Sequence, residues 1–193
     1  RRTFAQGDFP FYLVSLAAYT ARRAEPGDDG WAELREAQDF VARTVPHSGL
    51  AVAIDKGDAA DIHPKDKREI GERLALRALA EHYGKKVVAS GPVFRAVEPV
   101  SEGAALRLRF DHTDGGLVVK GDKLGEFSLA GEDGKWVWAD ARLDGDTIVV
   151  SSPSVPRPKA VRYAWQGNPA ATLFNGAGLP AVPFRTDGPV AKN

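Results

Sequence analysis

From Phe9 to about Tyr83 the apolar positions switch between two periods. Phe9-Pro10-Phe11-Tyr12-Leu13-Val14-Ser15-Leu16 is nearly continuous apolar sequence, the pattern of a strand buried on both faces. Trp31, Leu34, Gln38, Val41 and Val45 then recur at helical spacing, with Asp29 placed to cap the helix they predict. Leu50 to Ile54 reads as a second buried strand, followed by the turn Asp55-Lys56-Gly57-Asp58. Pro64 is suited to the first position of a further helix, where its missing N–H costs nothing. Ile70, Leu74, Ala78 and Leu79 give that helix one apolar face to about Tyr83, and Gly84 is its stop signal. Strand, helix, strand, helix with crossovers of this length predicts parallel strands. Two such strands are too few to form a covered sheet, so the segment reads as the tail of a larger α/β domain.

From Lys85 onward the helical period disappears. Short β-type runs predict strands at 105–110, 116–120, 127–130, 136–141 and 147–151. Turn pairs separate them at Asp114-Gly115, Gly121-Asp122, Asp133-Gly134 and Asp144-Gly145, a spacing that predicts a β-sandwich. The remaining sequence reads as Pro- and Gly-rich coil, around Val161 to Trp165 and Gly178-Leu179-Pro180.

Composition removes several classes of function. The 26 basic and 26 acidic residues cancel, so no global field points to nucleic acid or an anionic membrane. No apolar run reaches the length of a membrane-spanning helix, and the first residues do not resemble a signal peptide. Without Cys there are no disulfides, thiolate metal sites or cysteine nucleophiles. His47, His82 and His112 show no ligand spacing, and the Gly-rich pieces match neither a P-loop nor a dinucleotide fingerprint. No metal and no cofactor is therefore expected. The absence of Met marks the chain as a processed product, a fragment or an incomplete sequence.

The candidate chemistry centres on Asp61-Ile62-His63-Pro64. His63 is expected at the mouth of a helix that follows a parallel strand, the end of a sheet where α/β proteins gather their sites. A helix N-terminus disfavours the imidazolium, which suits a general base. Asp61 and Asp58 are the candidate acids to orient it; Asp61 can equally be a helix cap and Asp58 a turn residue. No Ser sits in a nucleophile elbow: Ser48 and Ser90 are isolated, and Ser15 lies inside a strand. A hydroxyl activated by His63 thus lies outside these 193 residues. Trp136, Trp138 and Trp165 read as core before they read as platforms for sugar rings, since Trp136 and Trp138 share one face of a strand.

Several ordered blocks resemble the sialate O-acetylesterases. They are Phe9-Pro10-Phe11-Tyr12, Trp31 with Leu34-Arg35-Glu36-Ala37-Gln38, Ala51-Val52-Ala53-Ile54-Asp55, Asp61-Ile62-His63-Pro64-Lys65-Asp66-Lys67, Gly71-Glu72-Arg73-Leu74-Ala75 and Ser90-Gly91-Pro92. Later come Val161-Arg162-Tyr163-Ala164-Trp165, Leu173-Phe174-Asn175, Gly178-Leu179-Pro180 and Pro183-Phe184-Arg185-Thr186-Asp187. The resemblance implies an SGNH (GDSL-like) serine esterase that removes acetyl groups from sugar hydroxyls, in the periplasm or secreted. It implies that residues 1–84 are the C-terminal part of a flavodoxin-like α/β domain with a parallel sheet. Residues 85–193 would be a β-rich, sandwich-like accessory domain. The expected partners are an acetylated sugar or glycan and the N-terminal part of the same protein, which carries the Ser nucleophile and the oxyanion-hole Gly and Asn. His63 matches the late block of the family. The wider superfamily places an Asp three residues before this His, where Ala60 stands here, so Asp61, Asp58 or a backbone carbonyl is left to orient the ring. From another class, a non-catalytic sugar-binding or structural fragment with an idle His63 is the alternative.

Overall fold

A computed structural model describes residues 1–188. Its first half contains β1 (Phe11–Val14), β2 (Ala18–Tyr19), α1 (Gly30–Thr44), β3 (Ser48–Ala51), β4 (Gly57–Asp58) and α2 (Lys67–Arg77). β1 runs parallel to β3, and β2 runs parallel to β4. The parallel strand–helix–strand unit is as the periodicity predicts. The strand of the first apolar run is shorter than expected, and it is not buried on both faces: Phe11 is 54% exposed.

Asp29 caps α1 as expected, accepting from the main-chain N–H groups of Trp31 and Ala32. The face that α1 buries is not the expected one. Leu34, Val41 and Val45 are exposed, whereas Ala32, Arg35 and Ala42 are buried. Arg35 donates to the carbonyls of Leu16, Ala17, Gln166 and Gly167 at 2.7–2.8 Å. Burial pushes its guanidinium down to about 10, which leaves it charged at neutral pH. Four carbonyls and a cation therefore dock the helix where an apolar stripe was expected, because charge-assisted hydrogen bonds offset the desolvation.

The second helix departs in the same way. It begins at Lys67 with Asp66 as its cap, not at Pro64, and its buried side chain is Arg73. Ala78 to His82 continue it as a π-turn, and Gly84, at φ +61°, stops it as predicted.

The second half contains β5 (Val93–Val100), β6 (Ala105–Asp111), β7 (Leu117–Val119), β8 (Phe127–Ala130), β9 (Trp136–Trp138), β10 (Asp140–Asp144), β11 (Thr147–Ser151), β12 (Ala160–Tyr163), β13 (Leu173–Asn175) and β14 (Phe184–Arg185). One antiparallel sheet has the order β10-β11-β6-β5 and another β14-β12-β8-β9, while β13 pairs with β7. The single strand expected over 136–141 is two, β9 and β10, which belong to different sheets. The expected coil around Val161 is the inner strand β12, whose Val161 and Tyr163 are fully buried. Its polar members are consumed by the fold. Arg162 reaches Asp187 and Asp28, and its guanidinium lies 4.0 Å from the centre of the Trp136 ring. Trp136 is thus a stacking partner for a buried cation.

Packing runs across residue 84. One hydrophobic cluster joins Ala42, Leu50, Val52 and Ile54 to Leu108, Phe127, Ile148 and Tyr163. Arg185 pairs with Glu36 of α1 at 2.7 Å, and Gly167 donates its N–H to Asp29. The last described stretch therefore returns to the α/β half and fixes α1 against it.

Candidate active site

The segment from β4 to α2 carries His63. Gly57 is obligatory at its start: its φ is +127°, and a Cβ there would lie 2.0 Å from the carbonyl oxygen of Ala18. β4 can lie against β2 only with hydrogen at that position. Asp58 then accepts from the N–H of Ala60 at 2.8 Å, a turn contact.

Asp61 is the acid that meets His63. Its Oδ1 accepts from the His63 main-chain N–H at 2.9 Å and lies 3.1 Å from the ring Nδ1. Those two contacts, the main-chain one first, hold the Asp61 carboxyl below its usual range. An ionised carboxylate only accepts hydrogen bonds, so Nδ1 must carry the proton in this pair. Nε2 is then left with the free lone pair. The His63 side chain is 81% exposed and so open to a reactant. Since α2 starts at Lys67, His63 lies outside the helix mouth and beyond its first-turn field, contrary to expectation. The side chain in contact with the ring is Asp61.

The feet of this loop are tied to α2. Lys56 Nζ lies 2.9 Å from Asp66 and 2.7 Å from Glu69, closing residues 56–66 into a ring. Burial pulls the Lys56 ammonium down, but its hydrogen bonds to Glu69 and Asp66 outweigh this and leave it above its ordinary value. Arg73 binds Asp55 through both guanidinium nitrogens, at 2.6 and 2.7 Å, and the Val52 carbonyl at 2.6 Å. These anchors are not apparent from apolar periodicity. Their one sequence signal is Asp55-Lys56 directly after a buried strand, with Glu69 and Arg73 one helical turn apart.

The structure brings no hydroxyl to His63 among the described residues. Ser15 Oγ is buried and accepts from the Ala53 N–H, and Ser90 Oγ lies between Arg77 and the Gly91 carbonyl. Among the described residues, no three acidic or His side chains gather as metal ligands would, and no helix is long and apolar enough to cross a membrane.

No protein-family model matches the chain. It is 30% identical to the mouse (Mus musculus) sialate O-acetylesterase over 95% of its own length and 38% of that protein. With the human (Homo sapiens) sialate O-acetylesterase it shares 29% identity over 95% of its length and 39% of that protein. Among solved structures, a carbohydrate acetylesterase from Xanthomonas citri matches with a TM-score of 0.84 and 42% identity, covering 92% of this chain and 41% of that one. The chain spans about two fifths of the length of the relatives it matches. On these matches the chain is similar, over the part of those proteins that it spans, to the sialate O-acetylesterases and to a carbohydrate acetylesterase.

Proposed function

We propose that this chain supplies the general base of a carbohydrate O-acetylesterase, with His63 as the base and Asp61 as its orienting acid. The observation that carries the reading is the Asp61–His63 contact at 3.1 Å beyond the carboxyl end of β4. His63 Nε2 takes the proton of a Ser hydroxyl from another part of the protein, and the Ser oxygen attacks the acetyl carbonyl. The imidazolium so formed is stabilised by Asp61 and gives its proton to the departing sugar oxygen. Water, deprotonated by the same nitrogen, then cleaves the acetyl-enzyme to acetate and free Ser.

The fuller architecture in this proposal is an SGNH-type parallel sheet in residues 1–84, followed by a sandwich-like unit in 85–193. Hydrogen-bond parity supports an incoming strand at one particular edge. Phe11 and Ser15 donate to β3 and its end, so Leu50 and Val52 turn their carbonyls to the far side of β3. Arg77 and Arg73 occupy those carbonyls at 2.9 and 2.6 Å, which closes that edge. On the far side of β1, Gln38 takes only the Leu16 N–H at 3.0 Å and reaches the Val14 carbonyl at 3.5 Å. Tyr12 faces outward with no strand beside it among the described residues. Next to it is an apolar groove of about 540 Å³ lined by Phe4, Phe9, Phe11, Val41 and Val45. The rest of the polypeptide, with the nucleophile, is proposed to add there.

The test is His63→Ala in the full-length protein with an acetylated sugar. Turnover should fall by about 10³-fold or more, while KM changes little. Wild-type turnover in that variant would leave the non-catalytic, sugar-binding reading in its place.

A further inference from the structure

We propose that Lys56 is a positioning residue for His63: its ammonium, clamped on α2, sets how far Nε2 reaches toward a nucleophile. The proposal rests on the reading above, in which His63 is the base.

The loop that carries His63 has little else to place it. Residues 59–65 are exposed, apart from the half-buried Pro64. Among the described residues, every hydrogen bond made by 59–65 stays within 58–67. Ala60 and Asp61 turn back to Asp58, His63 turns back to Asp61, and Lys65 accepts from the Lys67 N–H. These local turns shape the segment and keep Asp61 against the ring. They do not fix where that shape stands relative to the ends of the parallel strands. Its placement is left to the two feet.

Lys56 takes part in both. At the first foot its main chain is tied on either side: the N–H donates to the Ala53 carbonyl at 3.1 Å, and the carbonyl accepts from Ala18 at 2.7 Å. At the second, its side chain crosses the loop to Asp66, the cap of α2, and to Glu69 in the first turn. The same oxygen of Glu69 lies 3.4 Å from Arg73, which in turn holds Asp55. The ion pairs Asp55–Arg73–Glu69–Lys56–Asp66 are thus continuous, with one end before His63 and the other after it.

The links of this run differ in burial, and the difference assigns their tasks. Asp55 and Arg73 are 12% and 7% exposed, so their pair keeps α2 on the strand whether or not Lys56 is charged. Asp66 and Glu69 are 44% and 49% exposed, so the Lys56 clamp is open to screening by salt. Loss of the clamp therefore frees the far foot of the loop while the fold stays. Proton transfer needs hydrogen-bond reach, and a misplacement of about 1 Å can cost on the order of 10²-fold in rate.

The test uses the full-length protein and 4-nitrophenyl acetate, an uncharged ester, with folding of each variant checked by chemical denaturation. Lys56→Met should lower kcat about tenfold or more with KM within about twofold, and Lys56→Arg should recover most of the loss. Asp66→Asn keeps a good helix cap but removes the charge, and it should reproduce part of the fall. Raising NaCl from about 0.05 to 1 M should lower wild-type kcat severalfold and leave that of Lys56→Met unchanged, since only the wild type has a clamp to screen. A smaller folded fraction would not produce that difference in salt dependence. Wild-type kcat in both variants, or equal salt dependence in wild type and Lys56→Met, would overturn the proposal. If His63→Ala is inactive while Lys56→Met turns over normally, the positioning role alone fails. Surviving turnover in His63→Ala would instead overturn the reading on which it rests.

Discussion

Arg73 holds Asp55 with two hydrogen bonds, and the same guanidinium reaches back to the Val52 carbonyl, so a single α2 side chain joins the helix to the strand that leads to the candidate site. Both partners are largely buried, at 7% and 12% side-chain exposure. Removing one member of such a pair strands a charge. Arg73→Ala is expected to lower stability by about 3 kcal/mol. The double change Arg73→Met with Asp55→Leu should recover much of it, since an apolar pair of similar volume often replaces a buried ion pair at little cost. Chemical denaturation of the two variants beside the wild type checks this.

Gly57→Ala forces a Cβ to within 2.0 Å of the Ala18 carbonyl oxygen at a φ of +127°. The β2–β4 pairing should open, with a loss of about 2 kcal/mol or more and a parallel fall in turnover. Amide exchange at Ala18, whose N–H donates to the Lys56 carbonyl, should rise in this variant. Wild-type protection there would show that the close approach is not needed.

The two acids near His63 are expected to separate clearly. Asp61→Asn removes the charge beside Nδ1 and permits the wrong tautomer, so turnover should drop about 10²- to 10⁴-fold. Asp58→Asn should cost far less, because the Asp58 contact is a turn to the Ala60 N–H that an amide oxygen can also accept. Steady-state rates of the two variants decide it, and the reverse order would assign the orienting role to Asp58.

Asp66 should titrate below its ordinary 3.8, since the Lys56 hydrogen bond and the Glu69 N–H favour its charged form. A carboxyl whose folded pKa is depressed binds fewer protons folded than unfolded. Its stabilising contribution is therefore complete above about 3.8 and is lost as pH falls through the lower folded value. A carboxyl NMR titration should show the Asp66 midpoint moving upward in Lys56→Met. No movement would mean that the ion pair does not persist in solution.

The isolated 193-residue chain is expected to self-associate through its open β1 edge and the apolar groove beside it. Phe11→Lys should shift sedimentation toward the monomer. A wild-type chain that remains monomeric at high concentration would show that the groove is tolerated by solvent.

Much of the frame is legible in the residues. The parallel pair, the Asp29 cap, the Gly84 stop and strands β6, β8 and β11 follow from period and turn chemistry. The buried faces of the helices do not. Amphipathic analysis looks for the apolar stripe, and on α1 it finds Leu34, Val41 and Val45, which are exposed here. The helix instead docks by Arg35 on four carbonyls that come from residues 16–17 and 166–167, a pairing that no local window contains. β12 was hidden for a similar reason: Val161-Arg162-Tyr163 alternates as a strand should, but its charged member is stacked on Trp136 inside the protein. At the site, His63 and Asp61 were legible as a motif. Their separation from the helix mouth was not, because Asp66 outcompetes Pro64 for the start of α2.

The proposed base and its acid occupy one tripeptide, Asp61 to His63, joined by a main-chain and a side-chain contact to the same oxygen. Where an acid and a base sit on different elements, any shift of one element rotates the imidazole or breaks its partner. Here the two share one short segment between feet anchored at Lys56 and Asp66. Movement of the loop would change how far Nε2 lies from a nucleophile while leaving the ring's tautomer and its acid untouched. Catalytic competence would then be graded by distance alone, so the loop can act as a rate control without acting as a chemical switch.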